Sequence, residues 1–218
     1  MHKKHFLGIT EESIIVMSIF KWVGLSALIG SIVGIATTFF LKFLSFSISI
    51  SQTIPHYYLM IPIGLFVSVL LIKYLSPDSE GHGTEKVIWA IHHREGHMRF
   101  RVVPVKLLAT IVTIMTGGSA GKEGPAAQIG AALSSFFSDL FKFSKEERKK
   151  LVICGISAGF SAVFGTPIAG AIFGVEVLFV GGMLYEVLLP SFVAGMVSYQ
   201  VASALGVQYD YHFLSFSQ

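Results

Sequence analysis

The sequence predicts an all-α, polytopic membrane protein in which short broken helices lie among full spans. Three observations carry that expectation. Hydrophobic residues make up 53% of the 218 residues and charged residues only 13%, with a mean hydropathy of +0.70; a soluble domain of this size needs more charge to cover its surface. Several uncharged runs approach or reach the roughly 20 residues that cross a bilayer. Glycine, threonine and proline also cluster at breaks inside apolar sequence, where a continuous helix cannot run.

The runs are read in order. Trp22 to Leu41 carries no charge and is long enough to span. It is too long for a signal-peptide core, follows Glu11 and Glu12 and lacks a small-residue cleavage site, so insertion is expected. Tyr57 to Ile72 spans if extended slightly towards Leu75. Leu151 to Val175 is uncharged but interrupted by Pro167, and Leu188 to Val207 is a further uncharged run. Residues 1–13 are expected to form a cytoplasmic N-terminal segment and 14–218 the transmembrane domain of a multi-pass protein of the cell membrane.

Charge gives the topology. The net charge of +3 needs no nucleic acid to explain it, because basic residues gather on the cytoplasmic side of membrane proteins. Lys3 and Lys4 precede the first run, and Ser45 to Tyr58 after it has no Lys or Arg. The next connection carries Lys86, Arg94, Arg99, Arg101 and Lys106, and a later one Lys142, Lys145, Arg148, Lys149 and Lys150. The N-terminus and both basic connections are therefore placed in the cytoplasm. The single cysteine, Cys154, excludes an internal disulfide and reads as packing.

The later segments depart from a row of full spans. Val105 to Met115 is too short to cross alone and runs into Gly117, Gly118, Gly121 and Gly124. Pro125 is then expected to open a helix at its first position, where a missing N–H costs nothing. Its apolar face is Ala126, Ile129, Leu133, Phe136, Phe137 and Leu140. The same construction recurs at Gly165-Thr166-Pro167, with Thr166 as N-cap. A third start is Gly81-His82-Gly83-Thr84. Gly30 and Gly34, four residues apart, read as a close-packing pair.

A helix start exposes unpaired N–H groups and about half a positive charge, which is enough to hold a small anion. Several such starts aimed at one point would make an anion site deep in the membrane. Glu123 stands beside one of them. Ionised, it can occupy the anion site itself; protonated, it loses its charge and can swing away. A capping carboxylate on a watery loop is the plainer reading of the same residue.

The residues that carry this chemistry also resemble a known family. Gly121-Lys122-Glu123-Gly124-Pro125 looks like the Gly-x-Glu-Gly-Pro signature of the chloride-channel (CLC) proteins, and QIGAALSSFF continues like the helix after it. Ala158 to Phe179 resembles the next marked stretch, and Gly81-His82-Gly83 falls where the family commonly has Gly-Ser-Gly-Ile-Pro. The likeness runs from about Ile15 to the end. It implies the first inverted-topology repeat of the CLC fold, chloride as the transported ion, a homodimer in the lipid bilayer, and a channel or proton-coupled exchanger. Glu123 becomes the gating glutamate, and His82, Gly83, Thr84, Lys122, Glu123 and Gly124 the anion-binding set. Glu176 is a possible proton path.

Three departures bear on that expectation. His82 stands where a serine usually helps hold the anion. Val177 follows Glu176 where exchangers often have a second acid, which leans towards a passive channel. The family's second-half Gly-x-Phe-x-Pro motif and anion-coordinating tyrosine have no counterpart before Gln218, so a half-repeat with an incomplete pore is expected. A non-conducting helical scaffold and a transporter of another anion stay open as alternatives. No enzyme is expected: neither a Ser/His/Asp set nor paired carboxylates occur. GGSAGKE fails as a phosphate loop because Thr116 lies five before Gly121 and Glu123 replaces the magnesium-binding hydroxyl. No metal or cofactor is expected. His92 and His93 do not share a helical face, and with His97 they read as a basic loop.

Overall fold

The computed structural model describes residues 2–177 and 184–209. Eight α-helices follow one another among these residues, with no strand between them. They are α1 (His2–Gln52), α2 (Ile61–Leu75), α3 (Thr84–His93), α4 (Val102–Met115), α5 (Glu123–Leu140), α6 (Lys145–Phe164), α7 (Pro167–Glu176) and α8 (Tyr185–Ala204). Short 3₁₀ turns at Tyr57–Met60 and Pro77–Ser79 flank α2. Among the described residues, three stretches are long and apolar enough to cross a membrane: Ile15–Gln52, Tyr57–Leu75 and Tyr185–Ala204.

The first run is longer than the sequence predicts. α1 continues unbroken on both sides of Trp22–Leu41, and the expected division at residue 13 falls inside it. At 1.5 Å per residue, Ile15–Gln52 extends about 57 Å, nearly twice a hydrocarbon core, so it must tilt or protrude. The Leu151–Val175 run divides at Gly165, whose φ of 70° ends α6 before Thr166 and Pro167 restart the chain. Thr166 is the N-cap residue, as expected, but its side chain makes no capping hydrogen bond.

α6 is the centre of the bundle, buried continuously from Leu151 to Val163. Its neighbours approach to backbone contact because the residues between them are small. A Cβ on Gly159 would stand 2.5 Å from the Ala126 carbonyl oxygen of α5, and Gly130 and Gly155 face each other with equally little room. α7 runs back along α6, with Gly170 against Ser161 and Gly174 against Ser157. Gly30 and Gly34 seat α1 against Ala194 and Ser198 of α8, as their spacing predicts. In lipid such contact replaces the hydrophobic drive between helices. Several buried hydroxyls are bonded within the bundle: Ser157 and Ser161 donate to carbonyls one turn back, and Ser198 donates to the Ala158 carbonyl at 2.9 Å. Cys154 is buried among these helices, its Sγ 3.8 Å from Ser26 Oγ.

The basic connections come together on one side. Lys21 of α1 pairs with Glu147 at 2.5 Å, Lys150 with Glu186 at 2.6 Å and Lys145 with Glu95 at 2.8 Å. Asp139 at the end of α5 receives Arg148 at 2.5 Å and His97 at 3.2 Å. Ser144 closes a capping box with Glu147 at the start of α6. Hydrogen bonds from Lys21, and then from the Ser144 backbone and hydroxyl, hold the Glu147 carboxyl down at about 2. A carboxylate depressed on folding contributes stability above its unfolded pKa and loses it as pH falls through the folded value. The α1–α6 strap is therefore expected to hold at pH 4 and release near pH 2. Fluorescence of Trp22, whose ring lies 5.5 Å from the Lys150 ammonium, checks this in a Trp89→Phe background; release already at pH 4 would count against it.

Candidate functional site

After α4 the chain turns back on itself. Gly117, at φ 94°, and the bonds from the Gly117 and Gly118 amides to the Ile114 and Thr113 carbonyls make the reversal. α5 then starts two residues earlier than the sequence predicts: Glu123 is its first residue and Pro125 its third. Proline is tolerated there for the same reason as at the first position, because the first four N–H groups have no partner within the helix. On α3, Gly83 is the N-cap at φ 92° and Gly81 lies at φ 82°, so both need glycine's freedom.

The two starts touch. The Gly124 Cα lies directly against the His82 carbonyl oxygen, and a Cβ on Gly83 would stand 2.5 Å from the Gly124 carbonyl oxygen. The loop leading into α3 is tied from two sides. Gln128 of α5 donates from Nε2 to the Asp78 carbonyl at 2.9 Å. Lys106 of α4 donates from Nζ to the carbonyls of Ser79 at 3.0 Å and Gly81 at 2.6 Å.

A cavity of about 550 Å³ opens beside this contact. Gly81, His82 and Thr84 line it from the start of α3, Glu123 and Gly124 from the start of α5, and Lys106 from α4. Ser68, Thr110 and Thr113 add to its wall. The Glu123 side chain lies over Gly121, where any Cβ would meet its carboxylate. Glu123 and Gly121 also border a second cleft of about 280 Å³, which Lys122 shares with Ser45 of α1. The carboxyl-bearing residue thus stands between two openings.

Most of the expected anion set is brought together. Gly83 sits behind the cavity wall, at the contact between the helices, and Lys122 lines the second cleft rather than the cavity. Only two of the three helix starts meet: Pro167 packs at Gly195 of α8 and lies outside the cavity lining. Glu176 is an exposed residue at the end of α7, outside the cavity. His97 pairs with Asp139, and His93 Nδ1 lies 3.2 Å from the Trp89 carbonyl.

Lys106 is a correction. Its charge suggested a residue of the basic connection, but it is 5% exposed and points into the protein. A lone lysine one turn into VVPVKLLATIVTIM was the available signal, since a buried ammonium must find partners. Lys106→Met is expected to leave two carbonyls without their donor and to cost about 2 kcal/mol, measured as denaturant unfolding in detergent micelles. A cost near zero would show that the loop does not depend on this strut.

The family model described as "Voltage gated chloride channel" matches residues 63–217. A chloride/fluoride channel protein of Pseudomonas syringae pv. tomato is 37% identical over 192 residues, 88% of this chain and 42% of that protein. The H(+)/Cl(-) exchange transporter ClcA of Klebsiella pneumoniae is 28% identical over 165 residues, 70% and 35% of the two chains. Among solved structures, a CLC-type fluoride/proton antiporter superposes with a TM-score of 0.84 at 28% identity, covering 93% of this chain and 51% of its own. A slow cyanobacterial Cl-/H+ antiporter, at 22% identity and a TM-score of 0.72, shares the fold. The chain spans less than half the length of the curated relatives it matches.

Proposed function

The chain belongs to the voltage gated chloride channel family, and we propose that it forms one wall of a transmembrane pathway for a halide ion, with Glu123 as the gate. The observation that carries this is the position of Glu123 between the 550 Å³ cavity and the 280 Å³ cleft, at a helix start packed against a second helix start. The anion passes from the Lys122 cleft over the α5 amides to the cavity, where the starts of α3 and α5 and the Lys106 ammonium offset its charge. An ionised Glu123 competes for that place, and its protonation yields the place to the anion. Glu176 lies apart from this route and serves as a proton carrier only if transport is proton-coupled. A second inverted repeat supplies the opposite wall, and two such units pair in the cell membrane.

Fluoride is the second reading for the ion. The relatives whose printed names include fluoride match this chain at 37% identity and at a TM-score of 0.84, against 28% and 0.72 for the chloride exchangers above. His82, a ring N–H donor or acceptor in place of a serine hydroxyl, changes the chemistry at the position where a small anion would sit. Ion-selective electrodes for chloride and fluoride, on vesicles containing the protein and a pH probe, test both readings. Selective fluoride flux assigns fluoride; equal or greater chloride flux assigns chloride. Absence of flux for either ion, from the chain alone and with a second family half-repeat supplied, would overturn the transport reading.

A further inference from the structure

The basic side of the protein contains a cleft that the anion pathway does not use. It measures about 480 Å³ and lies between the α3–α4 connection and the end of α5. Arg99 and Arg101 line it with the aromatic rings of Phe100 and Phe136, whose centroids are 4.7 Å apart. The rings are 46% and 43% exposed, so they present an apolar surface to whatever enters the cleft. Asp139 and His97 also line the cleft, but they bond to each other, and Arg148 further neutralises the carboxylate. Arg101 makes no ion pair among the described residues, and Arg99 approaches Asp78 only at 3.9 Å. Two cations with little compensation therefore stand beside two bare rings.

Exposed Trp89 lines an adjoining cleft with Arg94, His97 and Arg99, and Lys145, paired with Glu95, is a further cation of the neighbouring connections. Aromatic residues beside clustered basic ones mark the depth at which lipid headgroups meet the hydrocarbon. We propose that this cleft binds an anionic phospholipid, with Arg99 and Arg101 on its phosphate and Phe100 and Phe136 against the first carbons of its acyl chains. A free anion would gain nothing from the rings, and a zwitterionic lipid, whose ammonium already offsets its phosphate, would gain less from the arginines; a lipid with uncompensated negative charge matches both parts of the surface. The site would anchor the α3–α4 connection to one leaflet, independently of whether the protein transports a halide.

Native mass spectrometry of the whole protein, exchanged into equal phosphatidylglycerol and phosphatidylcholine, tests the site. Retained phosphatidylglycerol is expected to exceed phosphatidylcholine and to fall on the order of tenfold in Arg99→Gln/Arg101→Gln. Each single arginine variant should show part of that loss, which keeps the test intact if the double variant folds poorly. Lys145→Gln/Lys150→Gln removes equal charge from the same side and should leave retention unchanged. Phe136→Ala should weaken retention without altering charge. Three results would each overturn the proposal: no preference for phosphatidylglycerol, an equal loss in the lysine variant, or displacement of the lipid by millimolar inorganic phosphate.

Discussion

Glu123→Ala is expected to raise halide flux at neutral pH by about fivefold or more and to flatten its dependence on pH. A carboxylate held at a helix start is stabilised by about 1 kcal/mol, and an anion must compete against that advantage to take its place. Alanine removes the competitor outright. Wild-type flux is expected to rise on acidification, because protonation does reversibly what the substitution does permanently. Glu123→Gln separates the two parts of the effect: it removes the charge but keeps the bulk over Gly121. Its flux should therefore be insensitive to pH but slower than that of Glu123→Ala. If transport is proton-coupled, both variants should stop proton movement while the anion still passes. Vesicle flux recorded between pH 4 and pH 8 checks each point, and a glutamine variant with wild-type pH dependence would remove Glu123 from the gate.

Gly124→Ala is expected to cost about 3 kcal/mol, the upper range for overfilling a packed interior. The added methyl would meet the His82 carbonyl oxygen, which belongs to backbone and cannot rotate away. Relief requires the start of α3 to move off the start of α5, so the cavity should deform together with the loss of stability. Gly24→Ala provides the contrast. Nothing lies within 4 Å of a Cβ at Gly24, and alanine there should be neutral or stabilising by up to about 1 kcal/mol through helix propensity. Unfolding of both variants in detergent micelles tests the pair; equal stability would mean that the helix starts do not depend on this contact.

Much of this was legible from residues alone. The uncharged runs, the restart at Pro167, the close packing of Gly30 and Gly34 and the helix beginning near Glu123 all follow from local rules of length, backbone freedom and side-chain size. The misplaced details were local as well. Pro125 marks a helix start without fixing which of the first positions it holds, since each lacks an N–H partner. Thr166 occupies a cap position, but its side chain makes no capping hydrogen bond, because residue type alone does not fix the rotamer and backbone angles that a cap needs.

The convergence of parts was not legible. Gly81–Thr84 and Glu123–Pro125 begin 42 residues apart, and nothing in either segment says that Gly124 rests on His82 while Pro167 rests on Gly195. Lys106 illustrates the same division. By itself it is a basic residue near other basic residues; only the folded loop turns the Ser79 and Gly81 carbonyls towards its ammonium. The sequence by itself determined the class of protein, most of the helices and the glycine-rich helix starts, because hydropathy, helix breaking and charge act over a few neighbouring residues. Only the tertiary structure decided which helix starts share a cavity, which lysine is buried beside it and which arginines line a cleft with Phe100 and Phe136, because those depend on contacts between segments far apart in the chain.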